Sequence, residues 1–177
     1  FIDWANQHFP QVSINLYSGK DWMTDHLDQW SQEEARITGE KPLILPLLDP
    51  LQYTIKPLHK LLLIGEAEEI QALYRAISAD DFPSTAFYLS KANYLEVTAK
   101  HVSKEDALVE LANHYHLSLE EVLTMGDNFN DLPMLKKAGI GVAMGNAPQE
   151  VKDGAAIVTK TNNENGAGQA VETYVLI

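Results

Sequence analysis

The spacing of apolar and polar residues divides the chain into two stretches, and the first is mixed. It predicts a helix that includes Phe1–Ala5 and a half-buried strand over Val12–Tyr17, where apolar and polar residues alternate. An apolar strand over Lys60–Gly65 precedes a helix over Glu66–Ser78, which has acidic residues in its first turns. The chain starts in the middle of a helical pattern without a capping residue, so we expect that a segment precedes it.

Weaker signals fill the rest of the first stretch. Asp21–Gly39 is interpreted as irregular or helical, ending at Gly39, and four prolines then exclude a long regular element before Lys60. A short strand is predicted over Gln52–Ile55, and two strands over Ala86–Ser90 and Tyr94–Thr98 form a hairpin. Residues 1–100 therefore resemble an α+β unit with a partly antiparallel sheet. Its aromatic residues are interpreted as core rather than as a pocket lining: Trp22, Trp30, Tyr53 and Tyr88.

Strands and helices alternate after Lys100. Ser103 begins a helix in which Asp106 completes a capping-box pattern, with a predicted apolar stripe of Ala107, Leu108, Leu111, Ala112 and Tyr115. A second helix-start pattern lies at Ser118–Glu121. Strands at 122–125, 140–144 and 155–159 then alternate with helices at 131–137, 148–152 and from about 166. This order is typical of an α/β fold with a parallel sheet, in which ligands bind beyond the carboxyl ends of the strands.

Composition limits the classes of function. The chain has 177 residues, of which 45% are hydrophobic and 21% charged, so it can form one domain or two small ones. Lys and Arg number 13 against 25 Asp and Glu, and this net charge of −12 disfavours nucleic acid and anionic membranes as partners. No cysteine is present, which excludes disulfides and thiolate metal sites. Cytoplasm is the default compartment, and the composition does not indicate an oligomeric state.

The segment from Gly126 to Asp131 carries the clearest chemistry. It follows the apolar strand at 122–125 and precedes a helix with Pro133 in its first turn. Two carboxylates, Asp127 and Asp131, therefore lie where a parallel strand ends, and oxygen ligands of this kind suit Mg²⁺ beside a phosphate. The alternative is a turn capped by acidic residues, with no metal.

Four segments together resemble the haloacid dehalogenase superfamily, and specifically its Cof-type phosphatases. They are Ser103-Lys104, Gly126–Leu135, Ala138–Ala147 and Thr161–Gly166, and they occur in the order and spacing of the family. The resemblance is strong over residues 101–177, which match the C-terminal part of a Rossmann-like hydrolase core. Residues 1–100 resemble, more weakly, the α/β cap domain that selects substrates in this family.

The resemblance implies a magnesium-dependent hydrolase of small phosphorylated metabolites, such as a sugar phosphate or a phosphorylated cofactor, acting through an aspartyl-phosphate. Lys104 would bind the phosphoryl group and balance the charge of the nucleophile. This role would also explain a cation at a helix N-terminus, where it opposes the helix dipole. Asp127 would bind Mg²⁺ directly, Asn130 would hydrogen-bond the phosphate or position the nucleophile, and Asp131 would hold a metal-bound water or Lys104.

Three functional residues that the family uses have no counterpart in the chain. They are the Asp nucleophile, the acid–base Asp two residues after it and a phosphate-binding Ser or Thr, all of which precede the cap. We therefore expect the 177-residue chain alone to be inactive, and to be unstable because a sheet edge is left open. Two departures from the family pattern also occur. Glu105 replaces the usual glycine after the lysine, and Ala167-Gly168 replaces Val-Ala.

Two alternatives remain at this stage. The chain could be a non-catalytic, truncated module that binds a phosphorylated ligand or partner without turnover. Phosphomutase or phosphonatase chemistry is a further option, since those reactions use the same Asp and magnesium. Gly141, Gly145 and Asn146 are expected to shape a loop beside the site. His101, His114 and His116 are expected to be surface or packing residues, and His8, His26 and His59 are likewise expected to be unpaired.

Overall fold

The computed structural model describes residues 1–48, 57–78 and 80–176. Two compact units contain them, Phe1–Lys100 (unit 1) and His101–Ile177 (unit 2). The short strand predicted at Gln52–Ile55 lies outside the described residues. Within the described residues, every helix is too short or too polar to cross a lipid bilayer.

Unit 1 is built around a six-stranded sheet with the strand order β3-β2-β1-β4-β6-β5. All neighbouring strands pair antiparallel except β2 and β3, which are parallel. Its described elements are α1 (Ile2–His8), β1 (Ser13–Ser18), β2 (Asp21–Thr24), α2 (Gln29–Thr38), β3 (Leu43–Ile44), β4 (Lys60–Ile64), α3 (Ala67–Ala76), β5 (Thr85–Lys91) and β6 (Tyr94–Ala99).

The core of unit 1 lies between one face of this sheet and the helices α1 and α3. Residues at alternating strand positions, such as Leu16, Leu63 and Leu95, meet Ile70 and Leu73 of α3 in a single buried cluster. Leu63 and Leu95 have no solvent exposure because β4 and β6 are central strands. The apolar spacing in the sequence therefore identified this core correctly.

Two predictions for unit 1 were incomplete. Asp21–Gly39 contains a strand, β2, as well as the helix α2, which ends as predicted at Gly39 in the left-handed conformation. β1 was expected to be half-buried, but its polar residues Ser13 and Asn15 are buried too. Asn15 is accommodated because its side chain accepts a hydrogen bond from Trp22 Nε1 (2.8 Å) and donates to Leu62 O (3.3 Å).

The second face of the sheet is partly covered by α2. Trp30 of α2 packs with Leu62, Ile64 and Tyr94, and the Tyr94 hydroxyl donates a 2.7 Å hydrogen bond to the Glu34 carboxylate. Both side chains are almost buried, with 8% of Tyr94 and 9% of Glu34 exposed. Burial and the Glu34 contact raise the pKa of Tyr94 above its ordinary value, so the phenol remains a donor.

Unit 2 contains a three-stranded parallel sheet in the order β7-β8-β9. Its described elements are α4 (Lys104–His114), a 3-10 turn at Leu119–Glu121, β7 (Leu123–Gly126), α5 (Leu132–Lys137), β8 (Ile140–Ala143), α6 (Gln149–Gly154), β9 (Ile157–Val158), a 3-10 turn at Asn162–Glu164 and α7 (Gly166–Tyr174). The predicted alternation and the parallel sheet are both confirmed, and Pro133 lies in the first turn of α5.

Only two of the five residues in the predicted apolar stripe of α4 are buried. Ser103 caps the helix as expected, since its hydroxyl accepts from Asp106 N at 2.9 Å. Leu108 and Ala112 are buried, whereas Leu111 and Tyr115 are 57% and 66% exposed. Apolar periodicity shows which residues share a helix face, but the packing of unit 2 decides how much of that face is covered.

We expect Tyr94→Phe to destabilise the protein by about 1–3 kcal/mol, because the Glu34 carboxylate would stay buried without its donor. Urea denaturation would measure this change. Tyr74→Phe is the matched control. Because Tyr74 lies on α3 and is 40% exposed, loss of its hydroxyl group should change the free energy of unfolding by no more than about 0.5 kcal/mol. Similar effects of the two substitutions would show that the Tyr94–Glu34 contact contributes little.

Candidate functional site

The loop after β7 is organised by one buried carboxylate. Asp131 Oδ2 accepts hydrogen bonds from the backbone N–H groups of Asp127 (2.9 Å) and Asn128 (3.0 Å). The side chain of Asp131 is only 5% exposed. Simple capping does not explain it, because Asp131 makes no side-chain bond to the N–H groups of its own helix, α5. Asp131 instead folds the preceding loop back over the end of the strand.

Lys104 reaches the same carboxylate from a different element. Its ammonium group forms an ion pair with Asp131 Oδ1, while half of the Lys104 side chain is exposed. Lys104 is the first residue of α4, held there by the Ser103 cap. Since Asp131 is buried and charge-assisted hydrogen bonds are strong, this pair fixes where the lysine charge lies. It also offsets the unfavourable position of a cation at a helix N-terminus.

Gly126 makes this arrangement possible. A Cβ atom at this position would lie 2.3 Å from Asp131 Cβ, well inside any acceptable contact. The strand can therefore end directly against the Asp131 side chain only if residue 126 is glycine. Gly141 has a similar role in β8, where a Cβ would lie 2.0 Å from Leu135 O of α5. Gly141 was expected to shape a loop beside the site, but it lies within β8, where it allows close packing of α5 on the sheet.

Asp127 lies at the edge of the sheet where β7 and β8 both end, because the two strands are parallel. Its side chain is exposed, and Asp127 Oδ2 accepts a 3.0 Å hydrogen bond from Asn146 Nδ2. Asn146 Oδ1 in turn accepts from the backbone N–H of Asn162 at 3.0 Å. Asn146 therefore links the loops that follow β7 and β9.

Asn146 is the site residue that the sequence analysis undervalued. It was expected to shape the adjoining loop, and it does so, but it also contacts the carboxylate of Asp127 directly. Its position shortly after β8, at the same sheet edge as Asp127, was the signal that could have identified this contact. Gly145 beside it lies close to the chain at Lys160–Thr161, where a Cβ would be 2.8 Å from Thr161 N.

Asn130 contains an unsatisfied polar atom. Its Oδ1 is buried and accepts no hydrogen bond within the part of the chain that the structure describes. Buried side-chain oxygens almost always have a partner, so an orphaned one points to a donor, water or ligand. Because this oxygen is an acceptor, it indicates a donor or a cation nearby rather than a phosphate oxygen.

The donor set fits part of a magnesium site. Mg²⁺ commonly binds one or two carboxylates, with waters and phosphate oxygens completing its octahedron, and the exposed Asp127 can provide one such ligand. Both oxygens of Asp131 are already engaged, so Asp131 suits an indirect role. Among the described residues, no three His, Cys, Asp or Glu side chains are grouped to hold a metal ion.

Glu105, on the first turn of α4, is held by an ion pair within unit 2. Its carboxylate pairs with Lys137 of α5 at 3.2 Å, so it is directed toward α5. The ammonium group of Lys137 therefore balances the negative charge of Glu105, and this ion pair involves neither Lys104 nor Asp131. The histidines of unit 2, His101, His114 and His116, are exposed, as expected.

Residues 1–171 match the haloacid dehalogenase-like hydrolase family. A protein of Haemophilus influenzae that is named as a phosphatase, with no substrate stated, is 40% identical over 164 residues, covering 92% of this chain and 60% of that protein. The 5-amino-6-(5-phospho-D-ribitylamino)uracil phosphatase of Bacillus subtilis is 41% identical over 87 residues, covering 49% of this chain and 35% of the relative.

A solved structure agrees in fold over nearly the whole chain. The haloacid dehalogenase-like hydrolase of Bacteroides thetaiotaomicron superposes with a TM-score of 0.78 and 30% identity, covering 97% of this chain and 64% of its own. The chain thus spans less than two thirds of the length of these relatives. Family, motifs and fold agree: the chain belongs to the haloacid dehalogenase-like hydrolases.

Proposed function

We propose that the protein hydrolyses a small phosphomonoester, such as a sugar phosphate or a phosphorylated cofactor, through an aspartyl-phosphate. The observation that carries this proposal is the cluster of Lys104, Asp127 and Asp131 at the carboxyl end of a parallel strand. Family membership and a relative named as a phosphatase support it. In this proposal unit 1 selects the substrate, and unit 2 is part of the catalytic core.

Each side chain has a distinct proposed task. Lys104 binds the phosphoryl oxygens and balances the negative charge that accumulates when a carboxylate attacks a phosphate. Asp131 is a positioning residue, because it holds the ammonium group of Lys104 and the loop N–H groups in fixed places. Asn130 donates to the phosphate or to the nucleophile through its side-chain amide. Asn146 keeps the Asp127 carboxylate in place.

Mg²⁺ is the proposed cofactor, with Asp127 as a direct ligand and Asp131 in an indirect role. When bound, the ion neutralises charge on the phosphate and orients it. The exposed carboxylate of Asp127 and the orphaned Asn130 Oδ1 support a ligand at this edge of the sheet. Because the chain carries a net charge of −12, a phosphorylated substrate needs a local cation such as Mg²⁺ or Lys104 to bind.

The nucleophile is proposed to lie in polypeptide outside these 177 residues, so the chain alone is expected to be inactive. Unit 2 offers a place for an additional strand, since β7 pairs on only one side within the described residues. A concavity of about 590 Å³ lies beside β7 and is lined mainly by apolar residues, among them Leu123, Met125 and Val171. An open strand edge beside an apolar surface is where a further strand can pair.

We expect Lys104→Ala to lower kcat of the intact protein at least about tenfold toward p-nitrophenyl phosphate, because the charge that stabilises the transition state is lost. Lys136→Ala is the matched control, since Lys136 is an exposed lysine on α5 and should leave turnover unchanged. Near-normal turnover of Lys104→Ala would remove this residue from the proposed site.

Asp127→Asn should abolish magnesium-dependent turnover, because an amide is a much poorer ligand for Mg²⁺ than a carboxylate. Chelation of the wild-type protein with EDTA should have the same effect, reversed by added Mg²⁺. Glu150→Gln controls for the loss of one acidic charge elsewhere in unit 2. Unchanged metal dependence in Asp127→Asn would show that Asp127 is not a ligand.

Intact mass spectrometry of the natural polypeptide tests the position of the nucleophile. We expect a mass well above the 19.7 kDa of this chain, with an aspartate following an apolar strand in the added sequence. A mass equal to 19.7 kDa would favour the alternative of a non-catalytic module that binds a phosphorylated ligand.

A further inference from the structure

The loop that follows β9 is attached to the loop that follows β8. We call residues 159–166 the β9 loop. The backbone N–H of Gly145 donates to Lys160 O at 3.0 Å. The two chains also lie so close together that a Cβ atom on residue 145 would be 2.8 Å from Thr161 N. The β9 loop therefore keeps a fixed distance from the segment that begins at Gly145.

The β9 loop is closed by hydrogen bonds of its own. Thr161 Oγ1 donates to the Glu164 carboxylate at 2.6 Å, and the backbone N–H groups of Glu164 and Gly166 both donate to Thr161 O at 3.0 Å. Gly166 is buried, and a Cβ atom there would lie 2.0 Å from Lys160 O. These contacts fix the backbone next to Thr161, and with it the direction of the Asn162 N–H.

The chemistry of its two neighbours fixes the orientation of the Asn146 amide group. The backbone N–H of Asn162 can only donate, so the Asn146 atom that lies 3.0 Å from it is the carbonyl oxygen. The amide nitrogen then faces Asp127, where it donates to Oδ2 at 3.0 Å. The N–H of Asn162 thus acts on Asp127 through Asn146.

The backbone around Asn146 is held on both sides. Ala147, the next residue, is 4% exposed and packs in the apolar cluster of unit 2, and its N–H donates to Met144 O at 2.9 Å. Gly145, the preceding residue, is bonded to Lys160. The Asn146 side chain is exposed, but it is anchored before any ligand arrives, so little conformational entropy remains to be lost when Asp127 takes up a ligand.

The contact with Asn146 orients Asp127 without neutralising it. An amide donor is uncharged, whereas the other carboxylate of the site, Asp131, is paired with the ammonium group of Lys104. Among the residues that the structure describes, Asn146 is the partner of Asp127 Oδ2, and no donor is bonded to Oδ1. Asp127 therefore keeps its full negative charge and one oxygen for a cation, which are the properties of a good Mg²⁺ ligand.

We propose that the Asn162 backbone N–H and the Asn146 side chain form a relay that holds Asp127 for Mg²⁺, so that the β9 loop sets the affinity for this ion. This inference rests on the proposed function, in which Asp127 is a direct ligand, and it deepens that function by adding the β9 loop to the metal site. Asn146 is a positioning residue, because it acts through Asp127. Loss of a hydrogen bond to a metal ligand lowers metal affinity about 10- to 100-fold.

The test removes one backbone N–H. Asn162→Pro deletes the donor at the first position of the 3-10 turn, where proline fits, and Thr161 already has the extended backbone that precedes a proline (φ −69°, ψ 164°). Asn162→Ala is the matched variant that keeps the N–H. Mg²⁺ titration of the intact protein, followed by the NMR amide signals of Asp127 and Asn128, gives Kd without turnover. Asn162→Pro and Asn146→Ala should each raise Kd at least about tenfold. Asn162→Ala should keep the wild-type Kd.

The double variant Asn146→Ala/Asn162→Pro shows whether the two groups act in series. If the Asn162 N–H acts through Asn146, the double variant should bind Mg²⁺ as weakly as Asn146→Ala alone. A further tenfold loss in the double variant would mean that the proline acts by another route, and would overturn the relay. Asn163→Ala, an exposed neighbour in the same turn, is the control and should leave both Kd and turnover unchanged.

Turnover of p-nitrophenyl phosphate separates positioning from chemistry. Asn146→Ala should need about tenfold more Mg²⁺ for half-maximal activity and should recover most of kcat when Mg²⁺ is saturating. A loss of kcat that added Mg²⁺ does not restore would contradict the positioning role.

The binding data also separate this inference from the proposed function. If Asp127→Asn abolishes Mg²⁺ binding but Asn146→Ala and Asn162→Pro leave Kd unchanged, the relay is wrong and the proposed function stands. If both variants weaken Mg²⁺ binding but the intact protein hydrolyses no phosphomonoester, the proposed function is wrong and the relay stands.

Discussion

The buried carboxylate of Asp131 holds the candidate site together. One of its oxygens pairs with Lys104 of α4, and the other accepts the N–H groups of Asp127 and Asn128 in the loop after β7. A buried carboxylate is stable only when it is fully hydrogen-bonded, so these partners and Asp131 depend on one another. The ion pair also places a positive charge at the carboxyl end of the sheet.

The two units meet different structural requirements. Unit 2 needs a rigid loop at the end of a parallel strand, and it achieves this with glycines that let the backbone approach closely, as at Gly126. Unit 1 has an antiparallel sheet with one face in a continuous apolar core and a second face that is apolar under α2 and polar elsewhere. The apolar core stabilises the sheet from its first face, so the second face can carry partly exposed charges such as Lys60 and Glu96.

Local signals predicted much of this arrangement. The Ser103 cap, the end of α2 at Gly39 and the parallel strands of unit 2 follow from short-range chemistry, and all three occur. The same reasoning missed β2 and overestimated the burial of the α4 stripe. Both errors concern long-range packing, since a four-residue strand is stabilised by its neighbour β1 and the exposure of Leu111 depends on what covers α4.

The sequence by itself determined the family, the alternation of elements after Lys100 and the candidate residues Lys104, Asp127, Asn130 and Asp131, because motifs and periodicity are local properties. The family resemblance already implied that Asp131 could hold Lys104, and the structure shows that pair. Only the tertiary structure decided that Asn146 contacts Asp127 and that Glu105 pairs with Lys137. It alone paired Lys60 of β4 with Glu96 of β6. These contacts join side chains from different elements, so their partners are set by the packing of helices and strands rather than by distance along the chain.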